Sequence, residues 1–497
     1  MMAKARLEII SGQSGNSFVR LAPDGQDQQL KHLLRYSLHR SSYASKRILV
    51  IDEPALAGDW QADIRQSNID EVVGLGFPAE QAQHLPFKVL TNSLEARTYF
   101  SASSYFNTVF LVYAGKESRY TELLGYMGAP LHRTELLVNL DALRHNLAVH
   151  RSALKSGTSV AVMVKANAYG AGLVEIARAL ESAGVEYLAV AYADEGLQLR
   201  KAGVRCPIMV LNTEPGAFEH FLQWQLEPVV YSFVLLEKLA GFLRSQGAVL
   251  PVHLEFNTGM NRLGFEPEEA GQVGRYLLGQ TNIRVATAFA HLAASGDAAH
   301  DVFTERQMHR FLGAYAELKH ILPYSIHRHL LNSGGVARFP QYDMDMVRLG
   351  IGVYGADETG ALQPDLQIVM TLQARVSQVR ILKEGETVGY SRAGHRPAGS
   401  KIATLGIGYA DGLSRLLSKG RHQVWINGHL APIAGNVCMD MCMVDVSEVE
   451  GVEAGSTATI FGVTPTVEEV AEKLSTIPYE VFTSVGQRVR RVYTETL

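Results

Sequence analysis

Residues 159–165 read SVAVMVK, and short apolar runs of the same kind return as EYLAVAY (186–192), PIMVLN (207–212), EPVVYS (227–232), VHLEFN (252–257), VATAFAHL (285–292), HRHLLNS (327–333) and MVRLGIGVYG (346–355). Each is short and mostly apolar in its middle, as strands buried on both faces are. Amphipathic stretches separate them, among them LVEIARALESAG (173–184) and FVLLEKLAGFLRSQG (233–247). Eight strands alternating with helices is the arithmetic of a (β/α)8 barrel, and residues 131–365 are read as one. An open doubly wound sheet would bring a Gly-x-Gly-x-x-Gly turn after its first strand, and SVAVMVK is followed by ANAYGAG instead.

The flanks have other rhythms. Beyond residue 366, LQIVMTLQARVSQVRIL, SKIATLGIGYADG, RHQVWINGHLAPIAG, MCMVDVS and TATIFG read as strands with turn signals between them, so 366–497 is expected to be a β domain. Asn427-Gly428 is a two-residue hairpin signal. The domain is read as closing with a helix, VEEVAEKLS, and a basic tail, GQRVRRVY. Residues 131–138 are expected to be a strand joining that domain. Residues 1–130 alternate strand candidates, RILVIDE (47–53), DEVVGLG (70–76), FKVLTN (87–92) and TVFLVYAG (108–115), with helical stretches, which suggests a small parallel α/β domain. The segment QSGNSFVRLAPDGQDQQ reads as polar turn.

Composition narrows the class. Across 497 residues, 46 Lys and Arg against 50 Asp and Glu leave a formal charge of −4, which gives no electrostatic case for nucleic acid. No run approaches the ~20 apolar residues that span a bilayer, and MMAKARLEIISGQSG lacks the pattern of a signal peptide. The expectation is a soluble, cytoplasmic, multidomain enzyme, with no membrane and no nucleic-acid partner. Cys206, Cys438 and Cys442 are too few and too scattered for a disulfide framework, and no metal set is completed around them.

The chemistry starts at AVMVKANAYGAG (161–172). Barrel active sites sit at the C-terminal ends of strands, where Lys165 falls. An amine held in apolar surroundings has a lowered pKa and can form a Schiff base with a carbonyl compound. Lys165 alone fits a solvent-facing lysine equally well. Its neighbours in the chain decide the matter. VKANAYG, VHLEFNTGMNRLGF, AHLAASG, HLLNSGG, DMVRLGIGVYG, GYADG and AGNVCMDMCMVDV occur in this order, and the ordered set resembles the fold-type III, pyridoxal 5'-phosphate-dependent alanine racemases over residues 131–497.

The resemblance implies a barrel with a C-terminal β domain, and it implies roles. Lys165 matches the family's Schiff-base lysine and one base. Tyr390, in TVGYSRAG, matches the second base on the opposite face of the substrate Cα. Arg348 matches the arginine at the cofactor's ring nitrogen. An arginine donates a hydrogen bond there without surrendering its proton, which weakens the ring as an electron sink. Tyr169, Ser333, Gly350 and Ile351 match phosphate contacts, with Asn332 assisting. His291 matches a histidine beside the ring. Arg262, Met439 through its backbone N–H, and Tyr409 match substrate contacts and the pocket entrance, and Asp440 matches an aspartate that orients this network. The implied activity is two-base interconversion of L- and D-alanine, supplying D-alanine for peptidoglycan. The implied assembly is a homodimer with shared active sites.

Departures from the family pattern are Glu255 for a lysine, where a carboxylate can brace Arg262 directly, Asn257 for an aspartate, Asn436 for an arginine and Gln487 for a tyrosine. Three rival readings stay open: a broad-specificity amino-acid racemase, a fold-type III decarboxylase, and a non-catalytic relative that kept the fold. Residues 1–130 resemble the C-terminal domain of Mur peptide ligases, as in ligase–racemase fusion proteins. No GxxxxGK[ST] loop is present, and RLAPDG replaces that domain's usual motif, so ligase activity is not expected. Lys116 and Arg119 echo a ligase motif.

Overall fold

The apolar runs close into a ring of eight parallel strands: Ser159–Met163, Tyr187–Val190, Ile208–Val210, Glu227–Val230, Leu250–Phe256, Ile283–Ala290, His327–His329 and Met346–Leu349. The last pairs with the first, Met346 opposite Ser159. The structure is a computed structural model that describes residues 6–12, 16–21, 29–40, 44–52, 60–75, 77, 87–90, 92–102, 105, 107–113, 124–125 and 134–496. Val160, Val162, Leu188, Val190, Ile208 and Val210 are fully buried, because helices cover the ring outside while side chains fill it inside. Those helices start and stop on local signals. Ser232 caps Phe233–Gln246 by accepting from Leu235 N, and Gly247 ends the helix in the left-handed conformation at φ 59°.

The strands are shorter than the apolar runs. The first ladder stops at Met163, and the last two stop at His329 and Leu349. Ser333 and Gly350 therefore stand just past strands seven and eight rather than inside them. Both belong to turns, with Ser333 opening helix Ser333–Arg338 and Gly350 preceding the 3-10 turn Ile351–Tyr354.

The chain divides into two compact units, the barrel unit at 142–368 and a second made of 1–141 with 369–497. In the second unit, Met370–Ile381 lies between Glu135–Asn139 and Thr457–Phe461, and its later half pairs with Lys401–Leu405. Asn427 and Gly428, at φ 46° and 84°, turn the hairpin Gln423–Ile426 to His429–Pro432 as their types require.

Two expectations are corrected here. GQRVRRVY is not a tail: Arg490–Thr496 is a strand, parallel to Glu135–Asn139 on one side and antiparallel to Arg6–Ser11 on the other. Its basic residues do not repel burial, because the Arg491 guanidinium donates to the carbonyls of Val485, Gly486 and Val489. The second correction is Ser17–Leu21, read as turn, which is a strand pairing in parallel with Thr108–Tyr113. Its hydroxyl and arginine interrupt an otherwise apolar segment in which Phe18 and Val19 are buried. Lys46–Asp52, Glu71–Leu75 and Lys88–Leu90 continue that parallel array. Val492 packs in one apolar cluster with Ile10, Phe18, Ile48 and Phe110, so the sheet and its core run on from residues 6–113 into the C-terminal strand. Lys116, Arg119 and residues 22–25 of RLAPDG lie outside the described residues.

Candidate functional site

Lys165 begins a left-handed turn. Ala166, Asn167, Ala168 and Tyr169 all have φ between 51° and 55°, although none is glycine. Each such residue costs about 1–2 kcal/mol, so the surroundings must hold the turn. Glu195 does so: one carboxylate oxygen accepts from Ala166 N at 2.7 Å and the other from Ala191 N at 2.8 Å. Asn167 ties the far end by accepting from Leu173 N at 2.9 Å. The turn carries Lys165 away from the ladder and plants Tyr169, 4% exposed, against Tyr354 at 4.7 Å. Burial lowers the Lys165 amine from the usual lysine range, and Arg262 lowers it further against a weaker pull from Glu195.

Strands seven and eight end beside that turn. Gly350 N donates to Ser333 Oγ at 2.9 Å, and Gly352 N reaches the same oxygen at 3.4 Å. A Cβ on Gly350 would lie 2.9 Å from Tyr169 Oη, so the missing side chain keeps open a cradle between two hydroxyls and a backbone amide. Asn332 caps the following helix by accepting from Gly335 N at 2.9 Å, and Ser295 donates to the same oxygen at 2.6 Å.

Arg348 lies in strand eight and is 4% exposed. It donates to His329 Nδ1 at 2.6 Å, to Ala290 O at 2.7 Å and towards His291 Nδ1 at 3.4 Å. Its guanidinium covers the Phe289 ring at 4.7 Å. Burial pulls its pKa down to about 10, with Glu255 opposing and Arg262 adding. His291 is brought down to about 3, by burial first and then by Arg348, Arg262 and Lys165, so it is neutral at physiological pH.

Glu255 is 4% exposed in strand five, and burial raises its pKa against the attraction of Arg262 and Arg348. No hydrogen bond or ion pair among the described residues joins Glu255 to Arg262. The expected direct brace is therefore absent, because Glu255 is held in the strand while Arg262 stands exposed beyond it. Asn257 uses its amide where an aspartate has no donor, giving Nδ2 to Glu266 at 2.8 Å while its oxygen accepts from Asn261 N at 2.9 Å.

The remaining expected residues stand on the second unit. Tyr390 is 69% exposed at the head of a turn in which Ser391 and Arg392 are left-handed. Asn436 donates to the Tyr390 carbonyl at 3.2 Å, a role for that departure that the sequence did not announce. Tyr409 N donates to Cys438 O and Ala410 N to Met439 O, both at 3.0 Å, which locks GYADG against VCMD. The approach is so close that a Cβ on Gly408 would sit 2.2 Å from Met439 O. Arg488 spans both loops: its guanidinium donates to buried Asp411 at 2.6 and 3.1 Å and to Asp440 at 2.7 Å. Thus Lys165, Tyr169, Glu255, His291, Asn332, Ser333, Arg348, Gly350 and Ile351 gather in the barrel unit with Arg262 at their rim. Tyr390, Tyr409, Met439 and Asp440 form their own group on the β domain.

Sequence reasoning missed Glu195, Arg488 and a line of polar residues inside the barrel, the half-buried Glu227 and the buried His253, Thr287 and His329. The signal for the last group was present as polar residues set within apolar strand runs.

Two family models match the chain, "Alanine racemase, N-terminal domain" over residues 138–358 and "Alanine racemase, C-terminal domain" over 369–493. The alanine racemase of Desulfovibrio desulfuricans is 38% identical over 363 residues, covering 72% of this chain and 97% of its own. Alanine racemase 1 of Clostridium acetobutylicum is 36% identical over 366 residues, covering 72% and 94%. Among solved structures, the alanine racemase of Clostridium difficile 630 superposes with a TM-score of 0.69 at 32% identity, covering 73% of this chain and 95% of that one. That of Bartonella henselae, with covalently bound pyridoxal phosphate, gives 0.66 at 30%, covering 73% and 99%. The barrel and the β domain that follows it match these proteins over nearly their whole length, and the chain belongs to the alanine racemase family.

Proposed function

We propose that the protein interconverts L- and D-alanine, with Lys165 and Tyr390 as the two bases and pyridoxal phosphate held in the barrel. The observation that carries this reading is the strained turn 165–169, which sets a lysine of lowered pKa beside the Tyr169–Ser333–Gly350 cradle. Two hydroxyls and a backbone amide suit a phosphate, glycine at 350 spares the Tyr169 hydroxyl the crowding of a Cβ, and the buried amine suits an aldehyde.

When bound, pyridoxal phosphate supplies a carbonyl that captures an amino group and a conjugated ring that spreads the electron pair left at Cα. The chain's own residues direct the protons. Lys165 Nζ, neutral over a wider pH range than an exposed lysine, takes or returns the proton on one face of Cα. Tyr390 Oη serves the other face. Arg348, which keeps its proton, would hold the ring nitrogen by donating to it, with His291 neutral alongside. Exposed Arg262 supplies positive charge for the substrate carboxylate, and the Met439 N–H donates a hydrogen bond to it.

The two bases stand on different compact units, and Tyr390, Tyr409 and Met439 are all exposed on theirs. We therefore read the working form as a homodimer whose shared sites combine one chain's barrel group with its partner's β-domain group, closed by two-fold symmetry. We read residues 1–130 as a Mur-ligase-derived domain without ATP chemistry, supported by its parallel strands and the missing phosphate loop. No helix among the described residues is long and apolar enough to cross a membrane, and a cytoplasmic place, supplying D-alanine for peptidoglycan, fits this reading.

The test is a racemisation assay against a panel of L-amino acids with wild type and Lys165→Ala. Alanine should be turned over fastest. Lys165→Ala should lose the borohydride-reducible cofactor linkage and at least about 10²-fold in rate. A linkage that survives in Lys165→Ala, or a faster reaction with serine, would overturn the assignment.

A further inference from the structure

We propose that His329, Thr287 and His253 form a one-way hydrogen-bond relay that couples the charge of the Glu227 carboxylate, set against its far end, to the Arg348 guanidinium, making Glu227 a positioning residue for the barrel's buried cation. One residue comes from each of five consecutive strands: Glu227 from the fourth, His253 from the fifth, Thr287 from the sixth, His329 from the seventh and Arg348 from the eighth. Arg348 Nη1 lies 2.6 Å from His329 Nδ1. His329 Nε2 lies 2.8 Å from Thr287 Oγ1, and Thr287 Oγ1 lies 2.8 Å from His253 Nδ1. His253 Nε2 stands 3.0 Å from Glu227 Oε2, within ion-pair distance but out of line for a hydrogen bond, and Tyr187 donates to the same oxygen at 3.2 Å. His253 and His329 are fully buried and Thr287 is 2% exposed.

The guanidinium end fixes the order of every proton along the run, and the carboxylate beside the far end agrees with it. A guanidinium only donates and a carboxylate only accepts. His329 Nδ1 must therefore be the acceptor, which leaves its proton on Nε2 to donate to Thr287. The threonine hydroxyl then donates to His253 Nδ1, and His253 Nε2 carries the proton that faces Glu227. Reversing any one member would set two donors face to face in a dry interior. Arg348 needs such support. Among the described residues its acceptors are ring nitrogens and the carbonyls of Ala290, His329 and Leu330, none of them a carboxylate. Hydrogen bonds in series polarise one another, so the charge on Glu227 makes His329 Nδ1 a stronger acceptor for the cation. The inference rests on the placement of Arg348 at the cofactor ring only for its functional meaning; the relay itself is a property of the folded barrel.

The experiment is 15N NMR of histidine-labelled full-length protein, with and without cofactor, His253 and His329 being assigned by His→Gln substitution. Wild type should show both rings as neutral Nε2–H tautomers. Glu227→Gln should shift the His329 Nδ1 resonance in wild type and in Thr287→Ser, which keeps a hydroxyl, but not in Thr287→Val, which cuts the relay. A proton on Nδ1 of either ring in wild type overturns the proposal without any variant, as does a His329 shift that is the same in Thr287→Val. The cofactor-free spectra involve no catalysis, so their failure leaves the racemase reading standing, and a failure at Lys165 leaves the relay standing.

Discussion

Gly350 gives its amide to Ser333 Oγ at 2.9 Å, and its absent side chain would end 2.9 Å from Tyr169 Oη. Three polar groups thus meet at residue 350, an approach that a Cβ would crowd. Tyr169 cannot easily tilt away, since its ring is packed against Tyr354.

Gly350→Ala should therefore leave the barrel folded but weaken cofactor retention by about tenfold or more, about 1.4 kcal/mol. Equilibrium dialysis against pyridoxal phosphate measures this, with the melting temperature of the cofactor-free protein as control. Undiminished affinity would mean that the phosphate is held elsewhere.

Tyr390→Phe should keep the reducible cofactor linkage and lose about 10²–10⁴ in racemisation, because one face of Cα loses its base. Proton NMR in deuterium oxide separates the faces. Exchange at Cα should persist with the enantiomer whose proton faces Lys165 and vanish with the other. Equal loss with both enantiomers would assign Tyr390 a structural part.

Arg488 binds the two loops that carry Tyr409 and Met439 through Asp411 and Asp440. Arg488→Met leaves the Asp411 carboxylate buried without its guanidinium, at a cost of about 1–3 kcal/mol. The loops should loosen and KM for alanine should rise several-fold, while the cofactor linkage at Lys165 stays intact. A lower melting temperature with unchanged KM would confine Arg488 to stability.

His422 is fully buried and donates Nε2–H to the Ile460 carbonyl at 2.9 Å. Burial lowers its pKa from 6.5 to about 4, so the folded state keeps it neutral where the unfolded chain is already protonated. Its contribution to stability is complete above pH ~6.5 and is lost as pH falls towards 4, by roughly 3 kcal/mol. His422→Gln should flatten the loss of stability between those limits in urea titrations at a series of pH values. An unchanged slope would show that other groups set the acid limit.

What could be read in advance followed locality. The barrel strands announced themselves because Val160, Val162, Leu188 and Val190 form runs that only a doubly covered sheet buries. The hairpin at Asn427-Gly428 was equally local. The turn 166–169 was not legible: alanine, asparagine and tyrosine carry no left-handed signature, and Glu195, which holds them there, lies a helix away. The relay through His253, Thr287 and His329 needed the register of neighbouring strands, which periodicity does not supply. The brace between Glu255 and Arg262 failed because opposite charges near in sequence need not meet once one is fixed in a strand. The polar cluster on the β domain was read residue by residue, but Arg488, its clasp, sat in a segment taken for a basic tail.

The antiparallel pairing of Arg6 with Thr496 joins positions 490 residues apart. A ribosome delivers the first of these strands long before the second, so during synthesis Arg6–Ser11 presents one bare edge while the barrel between them takes shape. That edge cannot close before Arg490–Thr496 is made, and contacts so distant in the chain carry a high loop-closure cost. Until then Ile10 and Phe18 lack the cover of Val492. The nascent chain is thus most prone to pair with a neighbour's edge in the interval before Arg490–Thr496 emerges.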